Sequence, residues 1–281
     1  MVNNIVQLLR WKNLLIAGGT VLLTKYAIFE PAIKTLFSLS SSTLNFFETF
    51  LLAISVMLIA AGGYVINDIN DVKVDEINKP DKVIIGKHIS AKFAEFLYIA
   101  LNVLGILLAA YVGEIAGNYR LILLHAIIAG ILWIYSKYVK NTFLLGNVLV
   151  ALASSAVVLT YFIFESLGYI KAYGDILKIN FKSIVGGPLN TLWLYSIALA
   201  LFGFVLSIIR EIVKDLQDYK GDFSVGAGTI PIVLGEKATK TIVILIAVLF
   251  ALSLIYVLHF KLNTPPFNEF SFILYTWLLI I

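Results

Sequence analysis

Long apolar runs separated by short polar segments fill most of this chain. Runs at 14–29, 43–66, 93–113, 119–136, 143–165, 190–209, 241–260 and 270–281 each predict a helix that spans or nearly spans a bilayer. The eighth run has twelve residues before the sequence stops. A crossing needs roughly 20 residues, so that run reads as a truncated end. The first run follows Arg10 and Lys12 without a small-residue cleavage site, and further spans come after it. No cleavable leader is therefore expected. No linker or low-complexity tract divides the pattern, which predicts an all-α polytopic transmembrane bundle forming one membrane domain over residues 1–281.

Composition agrees. The 281 residues are 60% hydrophobic and 14% charged, against about 45–50% and 25% in soluble globular proteins. Counting connections alternately places 14 of the 21 Lys and Arg residues on one side, which predicts that side to be cytoplasmic in a prokaryotic cell membrane. The net charge of +4 expresses this asymmetry, so it gives no reason to infer nucleic-acid binding. The absence of cysteine excludes disulfides and thiolate ligands. Nothing in the sequence calls for an obligate protein partner.

Two polar segments on the basic side interrupt the apolar pattern: residues 67–92 and 210–240. Each extends an apolar helix and then breaks, at Asn78-Lys79-Pro80 or at Lys220-Gly221. Residues 166–189 form the longest connection on the other side and carry little convergent chemistry.

Asp68, Asp71 and Asp75 recur as Asp215, Asp218 and Asp222 at the same i, i+3, i+7 spacing. On a helix turning about 100° per residue, each triplet falls within roughly 60° of one face. Carboxylates at a membrane edge repel one another unless cations neutralise them. All-oxygen clusters suit hard divalent ions such as Mg²⁺, which retain waters and bridge phosphates. Asn67, just before the first triplet, can add a carbonyl ligand; Lys214 is its counterpart in the second. The alternative reading is two solvated acidic helix ends, and the duplicated spacing on one side favours the site.

Lys73, Lys79 and Lys82 lie among the first acids, and Arg210, Lys214 and Lys220 among the second. A leaving diphosphate needs such donors, although the same residues satisfy the charge rule for topology. Arg210 lies nearer the apolar part of its helix, where a bidentate phosphate contact would satisfy the guanidinium; Glu211 is the alternative partner. Arg10 and Asn13, before the first span, can orient an acceptor's polar group. Tyr64 sits one turn before Asp68, where its ring can stabilise a developing cation. Tyr135, Ser136 and Lys140 cap the fourth span on the same side, as pocket residues or as interfacial anchors. GAGTIP, with Gly226 and Gly228, follows no strand and so fails the dinucleotide-binding pattern. His88, His125 and His259 lack metal-ligand spacing.

These motifs resemble the UbiA-type intramembrane prenyltransferases over nearly the whole chain. Asn67, Asp68, Asp71 and Asp75 fit the family's NDxxDxxxD motif, and Asp215, Asp218 and Asp222 its second acidic motif. Tyr135, Ser136 and Lys140 with Gly146 and Asn147 resemble its YSxxxK and GN elements, and Arg10 with Asn13 its N-terminal element. The resemblance implies about nine helices around a cavity open to the cytoplasm, with Mg²⁺ and a prenyl diphosphate donor between the motifs and a lipid-soluble acceptor. The second loop is similar to the branch that prenylates geranylgeranylglycerol phosphate; aromatic prenyltransferases of quinone synthesis have comparable loops. Lys79, Lys82 and Val83 depart from the family's Arg and RP, and lysine lacks bidentate geometry. An ion-coupled transporter is the competing class, but it needs acids at mid-membrane rather than at helix ends.

Overall fold

The computed structural model describes residues 2–37, 42–177 and 190–260. Among these, seven helices are long and apolar enough to cross a membrane, and there is no strand. They match the first seven predicted runs; the eighth, 270–281, lies outside the described residues.

A short helix α1 (Val2–Leu8) leads through Arg10 into α2 (Trp11–Leu23), a π-wound segment (Thr24–Phe29) and α3 (Glu30–Phe37), which together form the first span. The long α4 (Phe46–Asn78) follows, then α5 (Ala91–Ile115). Next come α6 (Ile122–Ile134), which ends in a π-wound turn (Tyr135–Val139), and α7 (Leu145–Leu177). The last described elements are α8 (Asn190–Gln217), two short helices α9 (Tyr219–Ser224) and α10 (Ile230–Leu234), and α11 (Glu236–Phe260).

The 33 residues of α4 rise about 50 Å, whereas a hydrocarbon core is about 30 Å thick. The excess carries Asp68, Asp71 and Asp75 beyond the apolar run on an unbroken helix. Asn45 starts that helix with a reciprocal cap: its side chain accepts from the Glu48 N–H, and the Glu48 carboxylate accepts from the Asn45 N–H. Α4 packs centrally against α2, α5 and α6, and α7 packs along α8.

Two apolar clusters hold up the polar end. Leu8, Leu14, Ala61, Val65, Ile84, Ile85, Ile89, Ala94 and Leu101 join α1, α2, α4 and α5 to the loop after α4. Ala151, Ile208, Ile212 and Ile230 join α7, α8 and α10. Each puts packed carbon directly beneath one acidic motif, so burial of apolar area helps fix the carboxylates.

Two expectations are corrected. The connection expected from residue 166 is still helix to Leu177. Gly168 does not break it, because it is the close approach where the Thr43 side chain lies over α7. The second acidic segment breaks at Asp218 (φ −92°, ψ 5°), not at Lys220-Gly221, and Gly221 lies buried inside α9. Asp215, Asp218 and Asp222 therefore do not share one helix.

Candidate active site

The two acidic motifs meet around one cavity of about 170 Å³. From α4 it is lined by Asn67, Asp68, Asp71, Val74 and Asp75; from the second motif by Lys214, Asp215, Asp218 and Asp222. Of the other predicted residues Arg10, Lys79, Tyr135 and Lys140 also line it, joined by Gln7, Ile84, Asn141 and Thr229, which the sequence pattern does not single out. With a mostly polar, charge-bearing lining and a volume below the 300–1,000 Å³ of typical ligand pockets, it suits a charged head group rather than an isoprenoid chain.

Most of the carboxylates have a protein partner. Arg10 donates to Asp68 at 2.6 Å. Lys140 pairs with Asp71, which also accepts from Asn67 Nδ2 at 2.6 Å. Asn147 on α7 donates to Asp215 at 2.8 Å, and Lys79 to Asp218 at 2.5 Å. Thr229 Oγ1 donates to Asp222 at 3.3 Å. Asp75 has no such partner among the described residues. Burial pushes the Asp222 carboxyl above the usual carboxylate range, with Asp218 adding and Lys140, Thr229 and Lys214 opposing.

Because these cations and amides interpose, no three acids among the described residues converge into a metal site of their own. The donor chemistry still fits Mg²⁺, which is commonly held by one or two carboxylates together with substrate phosphates and water. Asn67 supports the fit: its Oδ1 is buried in the cavity wall without a hydrogen-bond partner among the described residues, and a buried orphan acceptor is costly unless a cation or donor meets it.

Other predicted residues fall elsewhere. Arg210 does not line the cavity; its side chain is 58% exposed and its guanidinium pairs with Glu211. The cation that α8 presents is Lys214, 3.9 Å from Glu211. Ser136 is buried, donating to the Ile66 carbonyl at 3.0 Å and accepting from Asn70 at 2.9 Å, so it ties α6 to α4. Tyr64 carries the Arg10 guanidinium 4.8 Å above its ring. Lys73 and Lys220 are exposed and away from the cavity. The Lys82 side chain lies outside the described residues. Asn13 lines a neighbouring open groove of about 480 Å³ with Asn3, Val6, Trp11 and Lys12; Gln7 and Arg10 belong to both spaces.

Arg10 reaches the site from a left-handed backbone (φ 52°, ψ 52°). That conformation costs a non-glycine residue about 1–3 kcal/mol and persists only where surrounding contacts determine it. Here those contacts are the ion pair with Asp68 and the ring of Tyr64.

The model of the UbiA prenyltransferase family matches residues 31–281. The chain belongs to that family. Digeranylgeranylglyceryl phosphate synthase of Ignicoccus hospitalis is 34% identical over 181 residues, covering 64% of this chain and 52% of that protein. The chain thus spans about half the length of that relative. The synthase of the same name from Saccharolobus solfataricus is 34% identical over 232 residues, 79% of this chain and 72% of its own. Among solved structures, a UbiA homolog from Archaeoglobus fulgidus bound to DMAPP and Mg²⁺ superposes with a TM-score of 0.59 at 18% identity, covering 99% of this chain and 85% of that one. The likeness is one of fold. This family member is an integral membrane protein.

Proposed function

We propose that the chain, as one catalytic domain, transfers a prenyl group from an allylic isoprenoid diphosphate to geranylgeranylglycerol phosphate, with Mg²⁺ as cofactor. The observation that carries this reading is the head-group-sized cavity where both acidic motifs are met by Arg10, Lys79, Lys140 and Lys214. Asn67, Asp68, Asp71, Asp75, Asp215, Asp218 and Asp222 are the residues that would hold Mg²⁺, each oxygen donors at the cavity wall. Mg²⁺, when bound, supplies Lewis acidity and a template for the diphosphate.

The cations of the wall orient the donor head group and absorb charge as the allylic C–O bond breaks and its electron pair leaves on the diphosphate oxygen. The prenyl chain lies towards the apolar helices. An acceptor hydroxyl oxygen then forms the new C–O bond and loses its proton. The open groove bearing Arg10, Lys12 and Asn13 is where an anionic lipid acceptor approaches; its shared residues, Gln7 and Arg10, give it access to the cavity. Membrane lipid flanks both substrates, and the basic side that carries the cavity faces the cytoplasm of a prokaryotic cell.

The test is transfer of labelled geranylgeranyl diphosphate by the purified protein in lipid, offered geranylgeranylglycerol phosphate and 4-hydroxybenzoate separately, with and without a chelator. Chelator-sensitive product with the glycerol phosphate alone is expected. Product with the aromatic alone moves the acceptor to quinone synthesis, and product that survives complete Mg²⁺ removal overturns the metal assignment.

A further inference from the structure

We propose that Asn78 is a positioning residue that caps helix α9 from outside and so releases the Asp218 carboxylate to face the cavity. The proposal rests on the metal-dependent reading of the site.

Asp218 occupies the N-cap position of α9, where an aspartate normally turns its carboxylate onto the N–H groups of its own first turn. Here it makes no such bond. Its Oδ1 instead accepts from Lys79 at 2.5 Å, and the residue lines the cavity. The N–H left over is that of Gly221, the third residue of α9, and it is satisfied across 143 residues of sequence by Asn78 Oδ1 at 2.8 Å. The other end of the same carboxamide, Nδ2, donates to the Asp218 carbonyl at 3.1 Å. One side chain thus holds both ends of the first turn of α9 and fixes it to the end of α4.

The glycine completes the fit. A Cβ on Gly221 would stand 2.6 Å from Asn78 Cγ and 2.7 Å from its Oδ1, so only glycine lets the carboxamide reach the α9 backbone. The three features (a capping-type aspartate that does not cap, a carboxamide bonded at both ends, and a glycine at the point of approach) have one explanation. Asn78 does the capping so that Asp218 need not. Removing the carboxamide leaves the Gly221 N–H without a partner, and the nearest replacement is the Asp218 carboxylate, which must turn away from the cavity to reach it.

The test compares Asn78→Ala and Gly221→Ala with wild type in lipid, reading the Mg²⁺ concentration for half-maximal transfer, kcat at saturating Mg²⁺, and hydrogen exchange of the peptide containing residues 219–226. Either variant is expected to raise the Mg²⁺ half-saturation about tenfold, as loss of outer-shell support commonly does, and to speed exchange at Gly221. The double variant is expected to be no worse than the more impaired single one, because both remove the same contact. Adding Asp218→Ala to Asn78→Ala is expected to cost little more. An active wild type with unchanged Mg²⁺ dependence in Asn78→Ala overturns the proposal, as does Gly221 exchanging equally fast in wild type and variant. If wild type shows no Mg²⁺-dependent transfer, the prenyltransfer reading fails, and exchange alone decides whether the clasp exists. Gly221→Ala carries the test if Asn78→Ala does not fold.

Discussion

At Asn45, α4 begins inside a closed polar cluster; at Asp68, Asp71 and Asp75 it ends in an open one. In the closed cluster Glu165 is 0% exposed and Lys25 2%. Glu165 accepts from the Thr43 N–H, from Thr43 Oγ1 at 2.7 Å, from the Leu44 N–H at 3.1 Å and from the Tyr161 hydroxyl at 3.2 Å. Lys25, in the π-wound turn, donates to the Leu44 carbonyl and to Thr49 Oγ1 at 3.3 Å. One residue, Leu44, therefore bridges a buried anion and a buried cation through its N–H and its carbonyl. At the open end the charges are just as close, yet Arg10 and Lys79 are 34% and 36% exposed, and Asn67 Oδ1 has no partner among the described residues. Burial with full hydrogen bonding makes a joint; partial exposure with spare acceptors leaves side chains that can exchange a protein partner for a ligand.

The comparison breaks most sharply at Glu165. Replacing it with alanine leaves the Thr43 and Leu44 N–H groups and the Tyr161 hydroxyl without their acceptor, and each buried polar group left unsatisfied costs about 1–3 kcal/mol. A large fall in thermal stability is expected, with the Mg²⁺ dependence of whatever protein remains folded unchanged. A variant of normal stability would show the closed cluster to be ornamental.

The open end responds the other way. Asp68→Asn and Asp215→Asn are expected to lower transfer by about 10²–10³, the scale of one preorganised electrostatic contact, while lowering the unfolding temperature far less than the Glu165 variant does, because each alters one partly exposed polar contact. Turnover near wild type under saturating Mg²⁺ sinks the site assignment. Ser136→Ala belongs to neither class. It removes the tie between α6 and α4 and is expected to cost about 1 kcal/mol of stability, the net value of a typical hydrogen bond, with little effect on kcat; an activity loss as large as that of Asp68→Asn would return Ser136 to the substrate.

How much of this the sequence shows depends on how local each feature is. The seven described spans were legible because each is a continuous apolar run. So was the first acidic motif, since periodicity is reliable along one unbroken helix. The second motif repeats the spacing, but the chain breaks at Asp218, where the backbone is held by Asn78, a residue 140 positions away. The closed cluster was invisible for the same reason: Lys25, Leu44 and Glu165 meet only after α2, α4 and α7 have packed. Asn147 was noticed as part of a motif, but its bond to Asp215 follows from the α7–α8 contact.

Arg210 shows where periodicity was available and went unused. Five residues before Asp215, it sits about 140° round the helix from it, whereas Glu211, four before, is within about 40°. The structure follows that geometry: Glu211 is buried, and Arg210 points out and pairs with it. Arg210→Ala removes an exposed partner of the kind worth about 0–1 kcal/mol, so transfer is expected to stay within about threefold of wild type. Lys214→Ala, on the cavity wall, is expected to lower kcat/KM at least about tenfold, as befits a hydrogen bond from a charged group. Measured side by side, the pair tests which cation α8 offers the diphosphate. If Arg210→Ala is the more damaging, Glu211 must be acting through its neighbours: deprived of Arg210, its buried carboxylate has only Lys214, 3.9 Å away, and would draw that lysine off the cavity. In that case Glu211→Gln should rescue Arg210→Ala.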